Sequence, residues 1–282
     1  MRMHRVLILF FFKLSILGYC QNIQICLSDS LEYFSVVPSI STNSLEWEFI
    51  YGDGAEIVEG QFSDSISVLF SNPGNYIRQS QQIAENLAKT HDSGVLWANQ
   101  FDNIANQISH YNSTGPEIWD QTNGKIDGFT CAVGTGGTLS GTGLFLKEKN
   151  KEIKIALSDP FGSGLFNHYQ KGEMKAEGNS ITEGIGQGRI TKNLENCPID
   201  LSFRINDNDA LTIIFDLLKE EGIFLGGSSG INVAGAIQLA KELGPGNTIV
   251  TILCDSGQRY QSKIWNPEFL KSKDLVVPYW LE

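Results

Sequence analysis

Three glycine- and serine-rich segments constrain this chain more than any other feature. They cover residues 133–143 (VGTGGTLSGTG), 225–230 (LGGSSG) and 254–260 (CDSGQRY). Each follows a short apolar, strand-like run, and the first two lead straight into helical patterns. A strand feeding a glycine turn feeding a helix is the building unit of a mostly parallel α/β sheet. In such sheets ligands collect at the carboxyl ends of the strands, where these turns lie.

The surrounding pattern agrees. Residues 126–133, 154–158, 222–225 and 248–254 read as strands, and 139–147, 209–221 and 231–243 as helices. Asn208 or Asp207 is the expected cap of the helix at 209. Upstream, 55–58 reads as a short strand, 76–88 as an amphipathic helix and 94–100 as a buried strand. Helical segments follow around 104–108 and 114–119, and 161–190 reads as a glycine-containing loop.

Composition removes several function classes. The 282 residues suffice for one large domain or two small ones, and 41% hydrophobic with 19% charged residues suits a buried core. Asp+Glu 32 against Lys+Arg 21 gives a net charge of -11. That balance argues against nucleic acid as a partner, since phosphate backbones need a basic face. The five cysteines, at 20, 26, 131, 197 and 254, form no C-x-x-C pair and no zinc-spaced cluster with histidine. They read as small buried hydrophobes of a reducing compartment, with no metal site. Residues 1–20 place Arg2, His4 and Arg5 before an apolar run, which leaves a signal peptide or membrane anchor open. The uninterrupted stretch at 6–12 is too short to span a bilayer.

The three loops permit different chemistry. In 134–138, glycines let backbone N–H groups approach an anion, the next helix adds its positive end, and Thr135 and Thr138 add hydroxyls. Leu139 stands where a dinucleotide fingerprint needs its last glycine, and no GK[ST] follows, so a monophosphate fits better than a nucleotide. The 226–230 loop formally matches G-x-S-x-G with Ser228 as nucleophile. The four histidines, at 4, 91, 110 and 168, all precede Ser228, so the hydrolase order fails. Capping of the next helix by Ser228 or Ser229 is the plain alternative. In 254–260 a strand-end serine can hydrogen-bond a heterocyclic nitrogen, and the neighbouring carboxylate of Asp255 can do so too. Asp255 can instead cap the following segment.

Together the words NPGNY (72–76), WANQFDN (97–103), GTGGT (134–138), TEGIGQGRI (182–190), GGSSGINVAGA (226–236) and CDSGQRY (254–260) resemble the cysteine synthase and cystathionine β-synthase family. SKIWNPEFL (262–270) extends the resemblance toward the tail. It implies the three-layer, mostly parallel sheet of the fold type II pyridoxal-phosphate enzymes. It implies pyridoxal 5'-phosphate as cofactor, with Gly134, Thr135, Gly136, Gly137 and Thr138 as the phosphate cup and Ser256 facing the pyridine nitrogen. Gly184, Ile185 and Gly186 would border the amino-acid substrate, and Gly226 and Ser228 would line the site beside them. The implied reaction is β-replacement on an activated serine, O-acetylserine plus sulfide giving cysteine. A homodimer and docking of the serine acetyltransferase C-terminus are the implied partners, and the cytoplasm or mitochondrion the implied compartment.

The chain departs from the family at its start. Members carry a Schiff-base lysine in a word like P-x-x-S-x-K-D-R, followed by T-S-G-N-T-G. Neither word occurs here, and no lysine lies between Lys13 and Lys89. Residues 1–50 are therefore expected to be an unmatched segment, 51–110 a remnant of the smaller domain, and 111–282 the large domain. Covalent attachment of the cofactor is not expected. The alternative reading is a non-catalytic fragment or paralogue that acts by binding.

Overall fold

A computed structural model describes residues 76–89 and 95–281, together with strands β1 (Val6–Leu9), β2 (Cys26–Leu27), β3 (Glu32–Ser35), β4 (Ala55–Glu59) and β5 (Ser65–Phe70). The chain divides into two compact units, one formed by residues 1–13 and 100–282, the other by residues 14–99.

The second unit holds a four-stranded antiparallel sheet in the order β2-β3-β5-β4 and the helix α1 (Tyr76–Leu87). Pairing runs from Ala55 opposite Phe70, with an irregularity between Ile57 and Glu59. Residues 95–99, expected to be a strand, carry no regular element. Asn99 adopts a positive φ of 43°, which an extended strand does not accommodate.

The first unit is built on a five-stranded parallel sheet, β1-β9-β6-β7-β8. Its elements in chain order after β1 are α2 (Ala105–Asn112), α3 (Thr114–Gln121), β6 (Gly128–Cys131), α4 (Gly137–Lys149), β7 (Lys154–Pro160), α5 (Leu165–Lys171) and β8 (Leu201–Ile205). Then follow α6 (Asp207–Glu221), α7 (Gly227–Leu243), β9 (Ile249–Ile252) and α8 (Pro267–Ser272). Part of the apolar start, Val6–Leu9, runs parallel to β9 as the sheet edge. Among the described residues no helix is long and apolar enough to cross a membrane.

The strands are apolar on both faces because helices cover both. Phe129, Cys131, Ile155, Leu157 and Val250 pack in one cluster with Leu139 and Leu146 of α4. The alternate residues Ala156 and Ile249 pack with Ala236, Leu239 and Ala240 of α7. The period-2 alternation of a strand thus assigns α4 and α7 to opposite faces, giving three layers. Between the central strands, Thr130 Oγ1 donates to the Ala156 carbonyl and lies 2.8 Å from Ser158 Oγ, while Thr251 Oγ1 donates to the Thr130 carbonyl at 2.6 Å. These bonds satisfy three hydroxyl residues that are fully buried.

The parallel α/β expectation holds, with local corrections. Residues 222–225 form no strand of this sheet; Leu225 makes one antiparallel bridge, to Ser256. That segment joins α6 to α7 and meets the chain leaving β9 only briefly, with the Phe224 carbonyl accepting from Gly257 N at 3.1 Å beside the bridge. The strand β8 had no reading in the sequence, although Leu201, Phe203 and Ile205 alternate with Ser202 and Arg204 as a half-buried strand does. Helix α6 begins earlier than expected, at Asp207, since the cap is Asn206: its Oδ1 accepts from Asp209 N at 2.8 Å.

Candidate functional site

The phosphate-type loop is the turn from β6 into α4. Gly136 has φ 91°, which only glycine adopts without strain, and it is the residue from which α4 starts. The first intrahelical bond runs from Ser140 N to the Gly136 carbonyl. The N–H groups ahead of it have no intrahelical acceptor and lie at the positive end of a 13-residue helix. Gly136 and Gly137 are buried, while Gly134, Thr135 and Thr138 are half-exposed.

Side chains that sequence reasoning passed over hold this loop in place. Asn106 Nδ2 donates to Thr135 Oγ1 at 2.9 Å, and His110 Nε2 shares a 3.1 Å hydrogen bond with Thr138 Oγ1. Gln107 Nε2 donates to Ser140 Oγ at 2.6 Å. All three sit on α2, where the i, i+4 spacing of Asn106 and His110 puts them on one face. Polar residues at that spacing ahead of a glycine loop were the available signal. From the other side, Thr191 Oγ1 donates to the Thr135 carbonyl at 2.6 Å. The fully buried Asn193 accepts from Gln107 N at 3.1 Å and donates to the carbonyls of Gln100 and Phe101. Nothing in the sequence around Asn193 announces that role.

The 182–190 segment crosses the same strand end. Gly186 N donates to the Val133 carbonyl at 2.9 Å. A Cβ on Gly134 would collide with the carbonyl oxygen of Gly184. Gly134 therefore needs its missing side chain for this close approach. Gly184 is exposed, Gly186 half-buried, and Ile185 packs against Ile205, Ala210, Ile231 and Ala234. Ser163 Oγ accepts from Gln187 N at 3.0 Å and donates to its carbonyl at 3.1 Å. Arg189 grips Asp102 with two 2.9 Å bonds, and that pairing holds the Asp102 carboxyl below its usual range. Glu183 contacts Lys263.

At the start of α7, Gly226 is the N-cap, and its N–H donates to the Asp255 carbonyl at 3.1 Å. Ser228 is buried in the first turn, beside the Cys254 thiol. Ser229 Oγ accepts from Cys254 N at 2.9 Å and so ties the second loop to the third.

In the third loop Ser256, not Asp255, caps the following 3-10 turn: its Oγ accepts from Gln258 N at 3.2 Å, and the residue is exposed. Asp255 is half-buried. Its Oδ2 accepts from Tyr260 Oη at 2.8 Å, while its Oδ1 is buried without a partner. Burial raises the Asp255 carboxyl above its usual range, partly offset by the Tyr260 hydroxyl and the charge of Arg259.

The three loops and the 182–190 segment therefore converge at the carboxyl end of one parallel sheet. Glycine turn, helix end and two hydroxyls make the first loop suited to a phosphate monoester. In the third loop Asp255 Oδ1 is buried against Gly226 without a hydrogen-bond partner. Among the described residues no cluster of His, Cys, Asp and Glu could hold a metal ion. Fold and site together define an α/β protein whose glycine-rich loops gather at the carboxyl ends of a parallel sheet.

A family model described as pyridoxal-phosphate dependent enzyme matches residues 50–255. Cysteine synthase 1 of Neurospora crassa is 46% identical over 215 residues, covering 74% of this chain and 56% of that protein. A putative mitochondrial cysteine synthase of Saccharomyces cerevisiae is 42% identical over 210 residues, covering 69% of this chain and 53% of that protein. The crystal structure of an O-acetylserine dependent cystathionine β-synthase from Helicobacter pylori superposes with a TM-score of 0.61 at 29% identity, covering 69% of this chain and 61% of that one. The chain belongs to the pyridoxal-phosphate-dependent enzyme family. It spans a little over half the length of these curated relatives.

Proposed function

We propose that this chain carries the cofactor- and substrate-holding part of a cysteine-synthase-type enzyme. Gly134, Thr135, Gly136, Gly137 and Thr138 would hold the phosphate of pyridoxal 5'-phosphate through backbone N–H groups and hydroxyls. Ser256 would meet the ring nitrogen, with the carboxylate of Asp255 beside it as the competing partner. Gly184, Ile185 and Gly186 would border the amino-acid substrate, and Gly226 and Ser228 would line the adjoining wall. The bound ring supplies an electron sink for a carbanion at the substrate's α-carbon. The protein's share is to orient that ring and keep water from it.

The observation that carries this reading is the approach of Gly184 to Gly134, which sets the substrate segment against the phosphate loop at one strand end. O-acetylserine plus sulfide giving cysteine is the reaction we assign to the enzyme type, with this chain alone holding cofactor and substrate without turning them over. A homodimer and the C-terminus of serine acetyltransferase are its partners, and the cytoplasm or mitochondrion its compartment. A second reading, a binding protein without catalysis, is favoured by one specific observation: residues 14–88 contain no lysine to carry the cofactor.

The test combines two measurements on the full chain mixed with pyridoxal phosphate. Borohydride reduction followed by mass spectrometry should label surface lysines substoichiometrically, with no single residue modified in full. Cysteine formation from O-acetylserine and sulfide should then be absent, while reversible cofactor binding remains. One stoichiometrically labelled lysine, together with cysteine production abolished by its mutation, would show that the chain is an enzyme on its own. Failure to bind pyridoxal phosphate at all would remove the cofactor reading.

A further inference from the structure

Asn232 lies in the second turn of α7, 1% exposed, and its side chain reaches two strands at once. Its Oδ1 accepts from Ala132 N at 2.6 Å, one residue beyond β6. Its Nδ2 donates to the Ile252 carbonyl, the last residue of β9, at 2.8 Å, and approaches Cys254 Sγ at 3.4 Å. Both contacts fall where adjacent parallel strands stop pairing: the β6–β9 register ends at Thr130 opposite Thr251.

Beyond that point the ladder leaves Ala132 N–H and the Ile252 carbonyl to find other partners, and one carboxamide satisfies both. A primary amide is suited to this, carrying an acceptor and a donor on one rigid planar group. Two residues past Ala132 the phosphate loop begins at Gly134. Four residues past Ile252 stands Ser256. The hydroxyl of Ser229 supports the same junction through Cys254 N.

We infer that Asn232 is a positioning residue that sets the separation between the phosphate loop and the ring-facing loop, so that one ligand can engage both. The inference rests on the cofactor reading above. A ligand spanning both loops feels their spacing, whereas a ligand seated in one loop does not.

The experiment compares the full chain with Asn232→Ala and with Asn232→Leu. The leucine variant keeps the branched heavy-atom skeleton while removing both hydrogen bonds, and so guards against the cavity left by the alanine variant. Two probes are titrated: pyridoxal phosphate, which spans the loops, and inorganic phosphate, which occupies the first alone. Both variants should lose about tenfold or more in affinity for pyridoxal phosphate while keeping phosphate affinity within about twofold. Amide hydrogen exchange should quicken at residue 132 and leave residues 128–131 protected. Unchanged pyridoxal phosphate binding would overturn the inference. An equal loss of both probes would overturn it too, because it would make Asn232 a general support of the loop. An unmutated chain that takes up phosphate but shows no added affinity for pyridoxal phosphate would refute the cofactor reading and the spacing role with it.

Discussion

The loop after β6 and the loop after β9 leave neighbouring strands of one sheet, yet they are held in different ways. The loop after β6 is braced on both sides: Asn106, Gln107 and His110 from α2, Thr191 and Asn193 from the segment beyond 182. The loop after β9 is held mainly through its backbone: Cys254 N donates to Ser229 Oγ, the Asp255 carbonyl accepts from Gly226 N, and Gly257 N donates to the Phe224 carbonyl. Its serine is exposed and occupied with its own turn, and its aspartate keeps one buried oxygen unpartnered. A preorganised anion site gains from rigid donors that need no reorganisation on binding. A loop that must satisfy a ligand's polar edge keeps an unmet group until the ligand arrives. The difference is that Thr135 and Thr138 are engaged by side chains of α2, whereas Asp255 Oδ1 is left without a partner.

The largest expected effect breaks the first loop. Gly134→Val should reduce affinity for both phosphate and pyridoxal phosphate by about 100-fold or more, equivalent to about 3 kcal/mol. The new side chain would strike the Gly184 carbonyl and push the 182–190 segment away. Equilibrium dialysis with the two probes measures this, and retained binding would show that the close approach is dispensable.

Acid separates the two loops by sign. Burial lowers the His110 pKa below its ordinary value near 6.5. The folded state then binds fewer protons than the unfolded one, so this stability is present above pH 6.5 and is lost as the pH falls through the folded pKa. Burial raises the Asp255 pKa above 3.8, so its stability is present below pH 3.8 and is lost as the pH rises through the folded pKa. Urea titrations across pH 3 to 8 should therefore show opposite changes. His110→Gln should remove part of the loss on acidification, whereas Asp255→Asn should gain on the parent as the pH rises. Parallel pH profiles for the parent and Asp255→Asn would contradict the buried, unsatisfied carboxylate.

The smallest effect sharpens the second loop. Ser256→Ala should cost about 0.5–1 kcal/mol of stability through loss of the turn cap. If Ser256 also meets the ring nitrogen, pyridoxal phosphate affinity should fall further while phosphate affinity stays constant. A change in stability alone would transfer that role to Asp255.

Legibility followed the range of the interactions. Glycine turns, helix starts and the alternating apolar runs are local, and so β6, β7, β9, α4 and α7 were all readable near their observed positions. The strand β8 was missed although Leu201, Phe203 and Ile205 alternate with Ser202 and Arg204, a local strand pattern. Arg204 pairs with Glu177, 27 residues away, and stacks over Phe166 with its guanidinium 4.4 Å from the ring centre. At the site, Thr135 and Thr138 were legible as hydroxyl donors, but the residues that hold them were not.

By itself, the sequence determined the parallel α/β class and the glycine- and serine-rich turns that follow β6 and β9, since each depends on residues within a few positions of one another. Only the tertiary structure decided that Asn193 joins segments 86 residues apart, that Asn232 bridges two strand ends, and that Ser256 rather than Asp255 caps its turn. The physical reason is that a buried amide or carboxylate takes its role from whichever unpaired backbone groups folding brings within hydrogen-bond reach, and no local pattern records that distance.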